Sequence, residues 1–414
     1  MSSESEDTSA SRRRFLQQAA AAAAGTALVS SAGCLDLFGL GGGRPGGVSG
    51  GAIPHRQEIQ AEDADVAVGS EGDLREQVDQ QDGRVIWVPA DAEIDLTGDD
   101  LYIENVVVAS GRGEGERGGV IFSEDVGSNS PTWDGGSTSR GLIELGNNAR
   151  LTGLEIRGPH HSVQDHPQMP SYIPFAPQSS RSARDAWRAE RYARGVSVRG
   201  HNVTIDNCEI WAFATQAIAV GASQFTPENT VISHCHVHNA LMSSLGYGVD
   251  VRHGHPQIHR CYFDACRHCV NGSGFADAGY YLTESIIAPW VSNFPIDMHG
   301  VHDNIDGTTN PDDRNYRWRA GGTMVVRNCD IMPTHVPDLG FINRRAGNQT
   351  PHVHVRAVPE DGFFFENNRC AHSDPQTALN QSGIQGVYSP NEEGYRNLYY
   401  SGNQWGVDFN VEVP

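Results

Sequence analysis

The sequence predicts an all-β fold, a single right-handed parallel β-helix with an N-terminal capping helix and long loops. Three observations carry this. A nine-residue block recurs along the chain with apolar residues at alternate positions, the period a strand requires. One position of that block holds small polarisable or amide side chains at coil-length intervals. Each block is followed by a further short alternating segment before the next block begins.

The clearest blocks are Asn202–Ile210, Asn229–Val237, His255–Phe263, Gly279–Ile287 and Thr323–Ile331, and Gly362–Cys370 and Asn397–Trp405 continue them more loosely. Their seventh position reads Cys208, Cys235, Cys261, Ser285, Cys329, Asn368 and Asn403. Successive separations are 27, 26, 24, 44, 39 and 35 residues, so the basic coil has about 25 residues and the longer ones carry loops. Leu154 and Val106 are expected to extend the column upstream. Small side chains stacked at one turn of successive coils fill a tight interior corner. The four ladder cysteines are therefore read as buried packing residues and not as disulfides or metal ligands. Cys266-Arg-His-Cys269 has the spacing of a redox pair or half a zinc site, but no second such pair accompanies it.

Before the first block, Asp73–Asp79 reads as a short amphipathic helix ahead of the strand Arg84–Pro89. A helix there would close the open end of the solenoid, where unpaired strand edges invite aggregation.

The chain divides into three stretches. Residues 1–33 are expected to form a twin-arginine export signal: Ser11-Arg-Arg-Arg-Phe-Leu16 precedes the apolar run Ala19–Val29, which is too short to span a bilayer. Residues 34–60 hold Ser31-Ala-Gly-Cys34 at their border and a Gly-rich tether over Gly39–Gly51, so Cys34 is the expected lipidation site. Residues 61–414 form the β-helix. The chain is expected on the outer face of the cell membrane, held by a lipid or released.

Acidic residues outnumber basic ones 51 to 30, for a net charge of -21, and every basic residue is Arg. Such a surface suits saline surroundings, where salt screens its self-repulsion. Nucleic acid is excluded as a partner, since no basic stripe is present to neutralise phosphates. Lysine bases and Schiff bases are excluded outright, so positive charge must come from Arg or His. The expected protein is a monomer.

The segments between blocks align as Val196–Arg199, Ile218–Gly221, Val249–Arg252, Cys269–Asn271, Ile296–His299 and Val353–Arg356. With the apolar members inward, two outward columns are expected. One holds Ser197, Ala219, Asp250, Cys269, Asp297 and His354. The other holds Arg199, Gly221, Arg252, Asn271, His299 and Arg356. A register slip near 268–271 would bring His268 out in place of Cys269. Neighbouring coils lie roughly 4.8 Å apart, so His299 would neighbour Asn271 and Arg356, and Asp250 would lie about 9.6 Å from Asp297. Loops at 160–195, 300–322 and 333–351 would wall these columns into a groove.

With its recurring ladder blocks, the stretch from about residue 70 to the end resembles the pectate-lyase-like superfamily of right-handed parallel β-helix proteins, and within it Arg267-His268, Asp297-Met-His299-Gly300 and Val355-Arg356-Ala-Val-Pro359 resemble the marks of an archaeal and bacterial group. Tyr247-Gly-Val-Asp250-Val-Arg252 is similar to the Tyr-Gly-x-Asp-x-His segment of alginate epimerases of this fold, with Arg252 where that segment has His. The resemblance implies action on polysaccharides, although the superfamily also holds non-catalytic surface proteins.

Arginines lining a groove on an acidic protein point to an anionic ligand, and a uronate-bearing polysaccharide fits. In β-elimination or C5-epimerisation, Arg252, Arg267 and Arg356, with Asn271 and His354, would bind the substrate and neutralise its carboxylate. His299 or His268 would be the base, Tyr247 would donate a proton, and Asp250 and Asp297 would complete the catalytic set. A glycoside hydrolase using Asp250 and Asp297 as acid and base is the competing enzyme reading. A non-catalytic carbohydrate-binding or structural surface protein is the third. No cofactor is required. Calcium is conceivable through Asp297, Asp303, Asp306, Asp312 and Asp313, a set without repeated spacing that also fits a solvated acidic loop.

Overall fold

The computed structural model describes residues 59–112, 117–126, 141–162, 186, 189–221, 225–240, 242, 245–289, 291–301, 319–333, 351–381 and 396–409. The chain divides into two units, Met1–Gly41 and Gly42–Pro414, and all described residues belong to the second. The expected export signal, Cys34, the expected Gly-rich tether and Asp303, Asp306, Asp312 and Asp313 lie outside the described residues, as does much of each expected long loop.

The second unit is a right-handed parallel β-helix. Its strands form three parallel sheets of eleven, ten and nine members, and each coil contributes one strand to each in turn. A representative coil runs Thr204–Asp206 in the first sheet, Glu209–Trp211 in the second and Gln216–Val220 in the third. Every paired strand lies directly on the equivalent strand of the coil before it. The period-two pattern thereby becomes a continuous interior: Ile86, Val108, Leu151, Ile205, Ile232, Ile258 and Leu282 stack along the first sheet and are all buried. Burying one such side chain contributes about 1.5–3 kcal/mol, so the stack is a principal source of stability.

From the coil of Thr204–Trp211 onward, the turn between the first and second sheets takes one residue with positive φ. Asn207, His234, Arg260, Glu284, Asn328 and Asn367 occupy it, with φ between 49° and 57° across Glu284 and Asn328. The ladder residue follows immediately. The registers on either side place Cys208, Cys235, Cys261, Ser285, Cys329, Asn368 and Asn403 in one column, with Leu154 before them. Hydrogen bonds link its later members: Ser285 Oγ accepts from Cys261 N at 3.1 Å, and Asn368 Oδ1 accepts from Cys329 N at 2.9 Å. Val106 does not belong to this column. Val107 pairs with Arg150, so Val106 stacks on Ala149 at the start of the first-sheet strand. The long intervening loop defeats counting along the sequence.

A second ladder stands at the turn preceding the first sheet. Asn148, Asn202 and Asn229 all have positive φ there, which Asn tolerates better than most residues. Their amides are chained, Asn202 Nδ2 to Asn148 Oδ1 at 3.1 Å and Asn229 Nδ2 to Asn202 Oδ1 at 2.9 Å.

At the N-terminal end a helix spans Glu71–Val78, capped by Ser70, whose Oγ accepts from Asp73 N. Leu74 and Val78 are buried in the common core and close its end, as the sequence leads one to expect. All seven cysteines among the described residues are free and buried. Cys266 and Cys269 lie in the hydrophobic core, where burial raises the Cys269 thiol well above its ordinary pKa and suits neither redox nor metal chemistry.

Candidate active site on the third sheet

The third sheet carries three outward columns, one more than the alternation implies. In its five-residue strands two consecutive residues face inward, as in Ala217-Ile218 and Cys269-Val270, all four in the core. Gly248 belongs to the same irregularity: a Cβ there would meet Phe263 and the Cys266 sulfur inside the helix. The residue before each pair therefore faces outward. Arg194, Gln216, Tyr247 and His268 stack in register as a new column.

This irregularity corrects the expected register by two residues. Cys269 is interior, and Asn271 takes its place in the acidic column. That column reads Glu144, Ser197, Ala219, Asp250, Asn271, Asp297 and His354. The third column comprises Arg199, Gly221, Arg252, Ser273, His299 and Arg356, each fixed by its backbone N–H to the preceding coil. His299 consequently neighbours Ser273 and Arg356, not Asn271. His268 is brought to the outer side, the outcome a slip implies.

Asp297 is the centre of the arrangement and is wholly buried. Arg356 Nη2 lies 2.7 Å from its Oδ2, and Arg356 Nε 3.4 Å from its Oδ1. Three imidazoles complete the ring: His299 Nε2 at 3.4 Å, His268 Nε2 at 3.5 Å and His354 Nδ1 at 3.4 Å. Burial opposes ionisation of this carboxyl, but the charge of Arg356 and the contacts with His268, His354 and His299 outweigh it. The group is held well below the usual carboxylate range.

His268 has no exposure. Its Nδ1 lies in hydrogen-bond contact with the Phe294 carbonyl, so that nitrogen carries the proton and donates it. Burial, then the neighbouring Arg267 cation, lowers its pKa well below the ordinary value, against the opposing pull of Asp297. Tyr247 stacks on it with centroids 5.6 Å apart, and burial raises the phenol above its ordinary pKa. The Arg267 guanidinium carbon lies over the Tyr247 ring, 5.7 Å from its centroid. Among the described residues its Nη1 is buried without a hydrogen-bond partner.

Asp250, two coils before Asp297, is held differently. Gln216 Nε2 donates to its Oδ2 at 2.7 Å and Asn271 Nδ2 to its Oδ1 at 2.6 Å, while Arg252 Nε stands 3.5 Å away. The rim therefore presents Arg252, His299, His354 and Arg356, whose side chains retain 26%, 16%, 13% and 23% exposure. Sequence reasoning overlooked Gln216, Arg194 and Phe294, which stacks on the His268 side of the cluster. The available signal was the repeated pair of a small residue followed by a β-branched one, in Gly195-Val196, Ala217-Ile218, Gly248-Val249 and Cys269-Val270.

Chemically, the cluster offers a buried fixed anion, a partly exposed imidazole beside it, a protonated phenol and a half-buried guanidinium. A carboxylate next to an imidazole stabilises the positive charge that proton uptake places on the ring. A carboxyl held ionised, as Asp297 is, cannot serve as a general acid.

No protein-family model matches the chain, and no curated protein matches it in sequence. Among solved structures, an alginate lyase from Paenibacillus is similar at 10% identity, with 82% of this chain and 98% of that one covered and a TM-score of 0.44. The A-module of a mannuronan C-5 epimerase from Azotobacter vinelandii is similar at 14% identity, covering 82% and 87% with a TM-score of 0.46. A family 28 exopolygalacturonase from Yersinia enterocolitica shows 10% identity, 80% and 74% coverage and a TM-score of 0.36.

Proposed function

We propose that the third-sheet site binds an anionic, uronate-bearing polysaccharide and removes the proton beside the uronate carboxyl group, leading to β-elimination or C5-epimerisation. The observation that carries this reading is Arg267, a half-buried guanidinium whose Nη1 has no partner among the described residues, set against Tyr247 and the Asp297 cluster. A buried guanidinium nitrogen without a partner is costly, and a substrate carboxylate would satisfy it.

In this reading Arg267 neutralises the uronate carboxylate and stabilises the negative charge that develops when the adjacent proton leaves. Arg252 and Arg356 are already turned toward Asp250 and Asp297, so they contribute to the rim more weakly. His299 is the base, being partly exposed and backed by Asp297. Tyr247, kept protonated by burial, supplies the proton to the leaving oxygen or to the opposite face of the sugar. His268 is too deeply buried to reach substrate and acts by positioning Tyr247 and Asp297. His354 and Asn271 hold the two carboxylates in place.

The hydrolase reading fits less well. Asp250 and Asp297 are in register two coils apart, but Asp297 is held ionised and both oxygens of Asp250 accept from amides, an arrangement that suits neither of this pair to donate a proton. Export with lipid attachment at Cys34 belongs to the same proposal: labelled lipid incorporated by the wild type and lost in Cys34→Ala supports it, and equal labelling counts against it.

The test is to incubate the full chain in high salt with alginate and with pectate and to follow the ultraviolet absorbance of unsaturated uronate ends, with NMR for C5 inversion. Product that falls at least about 100-fold in His299→Ala and Arg267→Ala supports the proposal. New reducing ends without that absorbance would favour hydrolysis, and binding without either product would favour a non-catalytic surface protein.

A further inference from the structure

A separate cluster lies on the outer side of the second sheet, which the third-sheet chemistry does not use. Glu209 opens the strand Glu209–Trp211, and the next coil places His236 directly beside it in register. His238 stands two residues further along that strand and so faces the same way. One ligand atom from each of the three lies within 4.8 Å of the others. Glu209 Oε1 is 2.9 Å from His238 Nε2 and 3.7 Å from His236 Nδ1. A tetrahedral ion with bonds of about 2.0–2.2 Å requires donors about 3.3–3.6 Å apart, a range these two distances bracket.

The rings are held in place before any ion arrives. Trp211 stacks on His238 with centroids 5.3 Å apart and planes 9° apart, and Tyr262 meets His236 edge-on at 5.0 Å. Arg112 Nε stands 3.5 Å from Glu209 Oε2, which fixes that oxygen and leaves Oε1 turned toward the imidazoles. His236 is only 1% exposed, yet among the described residues neither of its ring nitrogens has a hydrogen-bond partner. A buried imidazole is seldom left in that state without a ligand for its lone pair.

We propose that Glu209, His236 and His238 form a binding site for one divalent transition-metal ion of the zinc class. Two neutral imidazoles and one carboxylate are a borderline donor set that favours zinc, cobalt or copper over calcium or magnesium, which prefer oxygen ligands. Binding places the His238 proton on Nδ1, whose lone pair has no partner among the described residues, and frees Nε2 for the ion. Three protein ligands leave a further coordination position, on the side where the Glu209 carboxylate keeps 20% exposure. The third-sheet cluster is less suited to the same task because Arg356 reaches both oxygens of Asp297, whereas Arg112 stands only against Oε2 of Glu209.

The experiment uses the untagged full chain, stripped with a chelator and titrated with Co²⁺ while visible absorption and tryptophan fluorescence are recorded. We expect ligand-field bands that saturate at one equivalent, quenching of part of the fluorescence through Trp211, and displacement of the bands by Zn²⁺. The bands should disappear in His236→Ala and in His238→Ala but persist in His299→Ala, which removes an imidazole of the other cluster. Absence of stoichiometric bands in the wild type overturns the proposal, whether or not the variants fold. So does binding that survives in folded His236→Ala and His238→Ala proteins. A rise in the thermal midpoint of the wild type with Zn²⁺, absent in Glu209→Gln, is the second expected readout.

Discussion

Replacing Arg356 with Met would leave Asp297 as a buried carboxylate facing three imidazoles and no fixed cation. Asp297 has no exposure, and its Oδ2 lies 2.7 Å from Arg356 Nη2. At an effective dielectric constant of about 20, unit charges this close attract by roughly 6 kcal/mol, a gross figure that desolvation of both groups largely offsets. Removing one partner of a buried pair costs about 3–5 kcal/mol. Because the Arg356 side chain keeps 23% exposure and three histidines remain, the lower end, about 3 kcal/mol at pH 7, is expected. The double variant Arg356→Met with Asp297→Asn removes both charges and should recover a large part of that loss. Guanidinium unfolding followed by circular dichroism measures both.

The pH dependence has a definite sign. Asp297 is held below its ordinary value, so its contribution is complete above pH 4 or so and fades as pH falls through the lower folded value. In Arg356→Met burial acts with less opposition, the folded pKa rises, and the fading moves to higher pH. A single variant within about 0.5 kcal/mol of wild type, or a double variant as unstable as the single, would show that the ion pair does not organise this site.

Other outcomes follow from single contacts. Burial pushes His352 down to about 3 from 6.5, so stability should fall by up to about 1.4 kcal/mol per pH unit as pH drops from 6.5 toward 3, and His352→Gln should flatten that slope in denaturant titrations. Cys329→Ala should cost about 1 kcal/mol by opening a small gap in the interior ladder, with unfolding midpoints as the measure. Asn328→Ala should cost about 1 kcal/mol, since Asn328 has φ of 57°, whereas Asn328→Gly should be close to neutral in the same measurement.

The solenoid was legible because its physics is periodic. Strands that stack on one another must repeat their inward residues, and the ladder from Cys208 to Asn403 states the register directly in the sequence. The column lost its phase at Val106, where a long loop intervenes and no counting rule links the coils. In the third sheet, strict alternation misplaced Cys269 and Asn271 because Cys269 and Val270 both face inward. That irregularity also creates the column of Gln216, Tyr247 and His268, on which the site depends. The Asp297 ring was legible only as a set of candidates. The sequence places His299, His354 and Arg356 near one another, but which of them reach the carboxylate depends on side-chain directions that register does not specify. The second-sheet histidines were overlooked because His236 and His238 follow directly on the ladder residue Cys235 and were absorbed into its strand pattern.

The most direct measurement is a calorimetric titration of the full chain with a polyuronate and, in parallel, with a neutral polysaccharide of equal length, both in high salt. Saturable binding of the polyuronate alone, weakened at least about tenfold in Arg267→Ala, is the expected result. Equal affinity for both polymers, or polyuronate binding untouched by Arg267→Ala, would mean that the guanidinium beside Tyr247 does not receive a substrate carboxylate.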